Sequence, residues 1–229
     1  MPRLLVHVEG QTEETFVNEV LRPHLIEKGF ESVSARLMGN ARLRERRGGI
    51  RSWQSAKRDI VRHLQGDHGC CSTTIVDYYA LPSGALGGWP GRKDAGNLPH
   101  GEKATSVEIA VRKDVSDAMG DAFNDERFVP FVAIHEFEGF LFSNCDAFSE
   151  AISRRDLKDK LQSIRDSFNT PEEINDSSTT APSKRIVALM PEYQKPLHGN
   201  LAALAIGLNQ IRQECPHFHS WLEKLEDLL

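Results

Sequence analysis

The stretch Leu4-Leu5-Val6-His7-Val8-Glu9-Gly10-Gln11-Thr12-Glu13-Glu14 sets a short apolar run, an acid, a glycine and a helix start in immediate succession. Leu4 to Val8 is aliphatic and β-branched and too short for a helix, so it reads as a buried strand with Glu9 at its carboxyl end. Gly10 lets the chain turn sharply. Thr12 reads as the N-cap of a helix, with Glu13 and Glu14 in its first turn, where the helix dipole favours negative charge. Phe16, Val17, Val20, Leu21 and Leu25 continue an i, i+3, i+4 stripe. At roughly 100° per residue, Glu13 projects near the centre of that stripe and Glu14 near its edge. A helix packed on the sheet by this face turns Glu13 back towards Glu9. Ligands of open α/β sheets collect at the carboxyl ends of strands, and two acids meeting there make an oxygen site for a hard cation. A solvated acidic first turn is the plainer alternative.

Two later stretches repeat the pattern. Thr73-Thr74-Ile75-Val76-Asp77 is a β-branched run ending in an acid, and as a parallel neighbour of the first strand it brings Asp77 beside Glu9. Phe128 to Ile134 reads as a further strand and runs into His135-Glu136-Phe137-Glu138-Gly139. If that strand continues, Glu136 and Glu138 share a face; if a helix begins at His135 they diverge, and only one enters the site.

Between these anchors, Glu31 to Met38 alternates as a half-exposed strand, and Trp53 to Gln65 reads as a helix through Ala56, Ile60, Val61 and Leu64. Leu81 to Gly101 is a Pro/Gly-rich loop long enough to suggest a functional flap or a disordered stretch. Lys103 to Met119 reads as a helix. Thr170-Pro171-Glu172-Glu173 has the form of a capping-box start. Asn175 to Ser183 is a Ser/Thr-rich loop, and Ile186 to Met190, Leu201 to Arg212 and His217 to Leu229 read as mainly helical. The expected architecture is α/β, a mostly parallel sheet flanked by helices, over 1–229 as one domain: an α/β core at 1–145 and a mainly helical part at 146–229.

Composition narrows the class. The 229 residues are 39% hydrophobic and 27% charged, ordinary for a globular protein, and no apolar run suits a membrane span or signal peptide. Cys70, Cys71, Cys145 and Cys215 form no CxxC pair, which argues against a disulfide framework or zinc knuckle and fits a reducing cytoplasm. His63, His68, Cys70 and Cys71, or Cys215, His217 and His219, match no tetrahedral spacing. The net charge of −5 gives no global basic footprint, yet Arg36, Arg42, Arg44, Arg46, Arg47, Arg51, Lys57 and Arg58 crowd one loop and the helix after it. Such a cluster can neutralise phosphates; a solvated loop accounts for it equally well.

Strands delivering acids to one edge, the first through Val8-Glu9-Gly10, resemble the Toprim domain, the metal-dependent phosphoryl-transfer module of topoisomerases, DnaG-type primases and OLD-type nucleases. The set VEGQTEETF, IVDYYALP, HEFEGFLF, PEEIND, TAPSKR and CPHFHSWL, spread over nearly the whole chain, resembles more closely a bacterial and archaeal domain-of-unknown-function family placed among Toprim-like proteins. The resemblance implies a Toprim-like fold and, by analogy with OLD nucleases, a nuclease site holding Mg²⁺ or Mn²⁺. Glu9 matches the Toprim glutamate, Glu13 a second acid four residues on, and Asp77 the first acid of the Asp-x-Asp motif. Tyr79 stands where the second Asp belongs, so Glu136 or Glu138 must supply the missing oxygens. Lys184 is the match to a basic residue near the scissile phosphate. The resulting expectation is a metal-dependent nuclease acting on DNA or RNA, an effector of anti-phage defence or plasmid exclusion, with Arg42, Arg44, Arg46 and Arg47 on nucleic acid. The rival is a catalytically degenerate regulatory or nucleic-acid-binding subunit. The chain has no P-loop, so a separate AAA or ABC-type ATPase is the expected partner, docked through Leu201, Leu204, Ile206, Leu208, Trp221, Leu222 and Leu225.

Overall fold

The computed structural model describes residues 1–38, 52–85, 87–174 and 180–229. Arg42, Arg44, Arg46 and Arg47 lie outside the described residues. Strand β1 (Arg3–Val8) leads through Gly10 into helix α1 (Gln11–Phe16), which widens into a π turn (Val17–Leu21) and continues as α2 (Arg22–Lys28). Thr12 does not cap this helix: the cap is Gly10, and Thr12 is buried within the first turn. Then come β2 (Ser32–Leu37), α3 (Trp53–Gly66), β3 (Cys70–Asp77) and α4 (His100–Met119). Residues 128–134 give two short strands, β4 (Phe128–Val129) and β5 (Val132–Ala133), because Pro130 between them has no N–H to offer the ladder.

The strand order is β2-β1-β3-β4, with β5 also on β3, and every pairing is parallel. The α/β reading and the mostly parallel sheet are therefore observed. β3 is buried at all eight positions, as a central parallel strand covered on both faces should be. Leu4, Val6, Val8 and Ile75 pack with Phe16, Leu21 and Leu25 on one face, while Val76, Val132 and Phe128 pack with α3 and α4 on the other. Trp53, Ala56, Ile60 and Leu64 are the buried stripe of α3, and Ala104, Val107, Val111 and Val115 that of α4.

After β5 comes a 3-10 segment (Phe137–Ser143), then α5 (Cys145–Ala151), α6 (Lys158–Arg165), α7 (Pro182–Leu189), a π turn (Lys195–Gly199), α8 (Asn200–Ile206), α9 (Leu208–Glu214) and α10 (Pro216–Glu226). The single helix expected over 201–212 is broken at Gly207, whose φ of 79° ends α8. Thr170 caps nothing with its side chain, and Pro171–Glu173 is one 3-10 turn. Glu172 turns away to accept from the backbone N–H groups of His217 and Phe218 at the start of α10. The loop after β3 is no open flap: Trp89 is buried against Trp53, and the Arg92 guanidinium lies 3.9 Å from the centre of the Tyr78 ring. Among the apolar residues assigned to a partner, Ile206, Trp221, Leu222 and Leu225 are core, whereas Leu201 and Leu204 remain exposed. Among the described residues no helix is long and apolar enough to cross a membrane.

Candidate active site: a buried acid cluster around Lys195

The register of the sheet builds the site. Val8 pairs with Ile75, so the chain leaving β1 at Glu9 runs beside the end of β3, where Asp77 pairs with Ala133 of β5. One Glu9 oxygen lies 3.5 Å from the Asp77 backbone nitrogen. Glu13, one turn into α1, is buried behind the Gly10 turn; a side chain at Gly10 would bring its Cβ to 3.1 Å from a Glu13 oxygen. The backbone at Gly10 is extended, with φ of −146°, so glycine serves here for room beside Glu13 and not for backbone conformation. Asp77 is held from the other side, its Oδ1 accepting from the Phe137 backbone N–H at 2.8 Å.

His135 shapes the last approach. Its φ of 69° places a non-glycine residue in the left-handed region, a strained turn where the chain leaves β5. The backbone is extended at Glu136, and the 3-10 segment starts at Phe137, so the two acids separate. Glu138 enters the cluster and is wholly buried; Glu136 turns to accept from the Ser183 N–H at the start of α7. Tyr79 stacks on His135 at 5.0 Å between ring centres.

At the centre of the acids stands Lys195. Its Nζ is 3.0 Å from Glu138, 3.1 Å from Asp77 and 3.7 Å from Glu13. The Asp77 contact is a hydrogen bond, but the Glu138 contact is only an ion pair: neither Glu138 oxygen has a partner in hydrogen-bond geometry. The Tyr193 hydroxyl is also buried without a hydrogen bond. The geometry thus gathers Glu9, Glu13, Asp77 and Glu138; Glu136 stays close enough for its charge to raise Glu138, and Lys184 is exposed. Lys195 and Tyr193 had no signal in the sequence: they sit in an irregular Pro-rich stretch far along the chain from every acid they face.

Electrostatics follow from crowding acids out of water. Burial, then Asp77 and Glu13, push the Glu9 carboxyl up to about 8. Burial and Asp77 raise Glu13, and burial sets Glu138 at about 7 despite the opposing pull of Lys195. Burial alone would lower the Lys195 ammonium, but Asp77, Glu138 and Glu13 outweigh it and hold it well above the ordinary lysine range. Four acids thus face one ammonium, and the surplus negative charge is relieved only by protons or by a further cation.

The donors suit a hard divalent ion: all are carboxylate oxygens, and those of Glu138 are buried with no hydrogen bond beyond the Lys195 ion pair. The shell is not assembled as it stands. Among the described residues no three Asp, Glu, His or Cys side chains are arranged to hold a metal, and the ammonium lies among the acids. His217 and Cys215 are engaged elsewhere: His217 pairs with Glu108, and Cys215 contacts the Ser143 hydroxyl.

The model of the family described as Domain of unknown function (DUF4276) matches residues 8–226. Two solved structures of the C-terminal region of the Xanthomonas campestris pv. campestris OLD protein, phased with platinum and with mercury, are similar at 15% and 16% identity. Their TM-scores are 0.42 and 0.43; the matches cover 99% and 100% of this chain and 93% and 96% of theirs. No curated protein matches the sequence.

Proposed function

We propose that this protein, which belongs to the DUF4276 family, is a divalent-metal-dependent nuclease of Toprim type that hydrolyses phosphodiester bonds in DNA or RNA at the acid cluster. The observation that carries this reading is the convergence of Glu13, Asp77 and Glu138, from α1, β3 and the segment after β5, on the Lys195 ammonium, with Glu9 beside Asp77, at the carboxyl edge of a parallel sheet. Glu9, Asp77 and Glu138 would hold Mg²⁺ or Mn²⁺, with Glu13 supporting a second ion. Such an ion neutralises charge developing on a phosphodiester and activates water. The chain's own groups do the rest. The Phe137 N–H fixes Asp77, Lys195 offers an ammonium to a non-bridging phosphate oxygen, and Glu9 can carry a proton near neutral pH. Lys195 takes the role expected of Lys184. Arg42, Arg44, Arg46 and Arg47 would contact phosphates along the strand.

The wider reading is an anti-phage defence effector working with a separate ATPase, for which the exposed Leu201 and Leu204 supply contact surface. A second reading, a nucleic-acid-binding subunit that has lost catalysis, is favoured by Tyr79 at the second Asp position and by the unassembled metal shell. Incubating the purified chain with labelled DNA and RNA in Mn²⁺ separates the two. The nuclease reading expects cleavage that EDTA stops and that Asp77→Asn lowers about a hundredfold or more. Binding without cleavage would establish the second reading.

A further inference from the structure

We propose that Lys195 and a divalent cation are alternative occupants of the acid cluster, so that Lys195 is the counter-ion of the metal-free site and swings out when metal enters. The inference rests on reading the cluster as a metal site. Its first support is position. An ion bridging Asp77 and Glu138 needs carboxylate oxygens at about 2.1 Å, and the Lys195 Nζ already lies 3.1 and 3.0 Å from those two acids. An ion bridging the two oxygens that Lys195 contacts would face its ammonium, and the like charges repel. The second support is that, among the described residues, no three acids are arranged as a metal shell while the ammonium stands among them.

The third support is exposure, which differs between the partners. Asp77 is tied by the Phe137 N–H and Glu138 is wholly buried, so the acids are fixed. Lys195 begins a π turn, and 36% of its side chain is exposed. Its four-carbon stem can carry the ammonium to solvent by rotation alone, with no change in the fold. Its contact with Glu138 is an ion pair at 3.0 Å. An ion with several carboxylate ligands outbids such a contact once those ligands are released.

The test is Mn²⁺ binding to the full chain, read by electron paramagnetic resonance of free Mn²⁺, for wild type, Lys195→Met and Lys195→Arg. Exchange predicts that Lys195→Met binds Mn²⁺ about tenfold tighter than wild type, as competing ligands coupled through one site do, and that Lys195→Arg binds no tighter. Unchanged or weaker binding by Lys195→Met overturns the exchange while leaving the nuclease reading intact. No binding by either wild type or Lys195→Met overturns both. Because Lys195→Met leaves the acids without a counter-ion and so puts folding at risk, the wild type supplies a second measurement: acetylation of Lys195 by acetic anhydride, followed by mass spectrometry. Mg²⁺ should raise the reactivity of Lys195 while that of Lys184 stays constant; an unchanged or lowered Lys195 reactivity overturns the proposal.

Discussion

Two groups of buried acids in this molecule look alike in composition and differ in how they are satisfied. Glu108 accepts from the Val132 N–H at 2.8 Å and pairs with His217 at 2.9 Å. Glu172 accepts from the His217 and Phe218 N–H groups at 2.9 and 3.0 Å, closing the start of α10. In the other group, Glu138 has no hydrogen bond at either oxygen, and Glu9 reaches only a 3.5 Å contact with the Asp77 nitrogen. Acids that satisfy backbone donors join α4, α10 and the sheet, and are structural. Acids crowded together with unmet oxygens cost stability, and such groups persist where the fold has another use for them.

The largest expected effect comes from replacing one acid in each group by its amide. Glu138 has its ordinary value of 4.5 when unfolded and about 7 when folded. The folded protein therefore binds the extra proton, and stability is lost as pH rises between those values. In metal-free protein at pH 8, Glu138→Gln should be more stable than wild type by up to about 3 kcal/mol, and the gain should vanish near pH 4.5. Glu172→Gln should instead lose about 1 to 3 kcal/mol, since its amide turns a donor towards a backbone N–H. Thermal melts at both pH values read the pair, and a loss in both variants would erase the distinction.

A smaller effect tests whether an unmet polar atom is enough to mark a site. Both ring nitrogens of His7 are buried without hydrogen bonds, yet His7 faces His63 of α3, away from the acids. Burial, then His63 and Arg36, pull it down to about 3. The unfolded chain takes up a proton that the folded one refuses, so stability drops as pH falls from about 6.5 towards 3. His7→Leu should recover about 2 kcal/mol at pH 5 and leave Mn²⁺ binding unchanged; altered metal binding would place His7 in the site. The smallest effect belongs to Lys184→Ala. Its exposed side chain should contribute under about 0.5 kcal/mol to stability and nothing to Mn²⁺ affinity, which calorimetry can check.

The legible parts of the sequence were those governed by local pattern. The runs 4–8 and 73–77 are strands because their residues are β-branched or aliphatic, and the stripes of α3 and α4 follow helical spacing. The placement of Glu9, Glu13 and Asp77 together follows from parallel pairing, which that pattern implies. What was not legible depends on tertiary context. Pro130 divides a strand that apolarity alone would run straight through. Glu172 abandons its own turn for a helix start 45 residues away. Glu138 is separated from Glu136 by the backbone turn at His135. Lys195 reaches Asp77 across 118 residues from a stretch with no periodicity, whereas Lys184, within a recognisable motif, is exposed.

The most direct test of the central claim, that the unsatisfied acids are a divalent-cation site, is a crystal soaked in Mn²⁺ at neutral pH and examined by anomalous scattering. The account predicts an anomalous peak bounded by the carboxylates of Glu9, Asp77 and Glu138, absent in Asp77→Asn. A crystal saturated with Mn²⁺ that shows no peak there would contradict it.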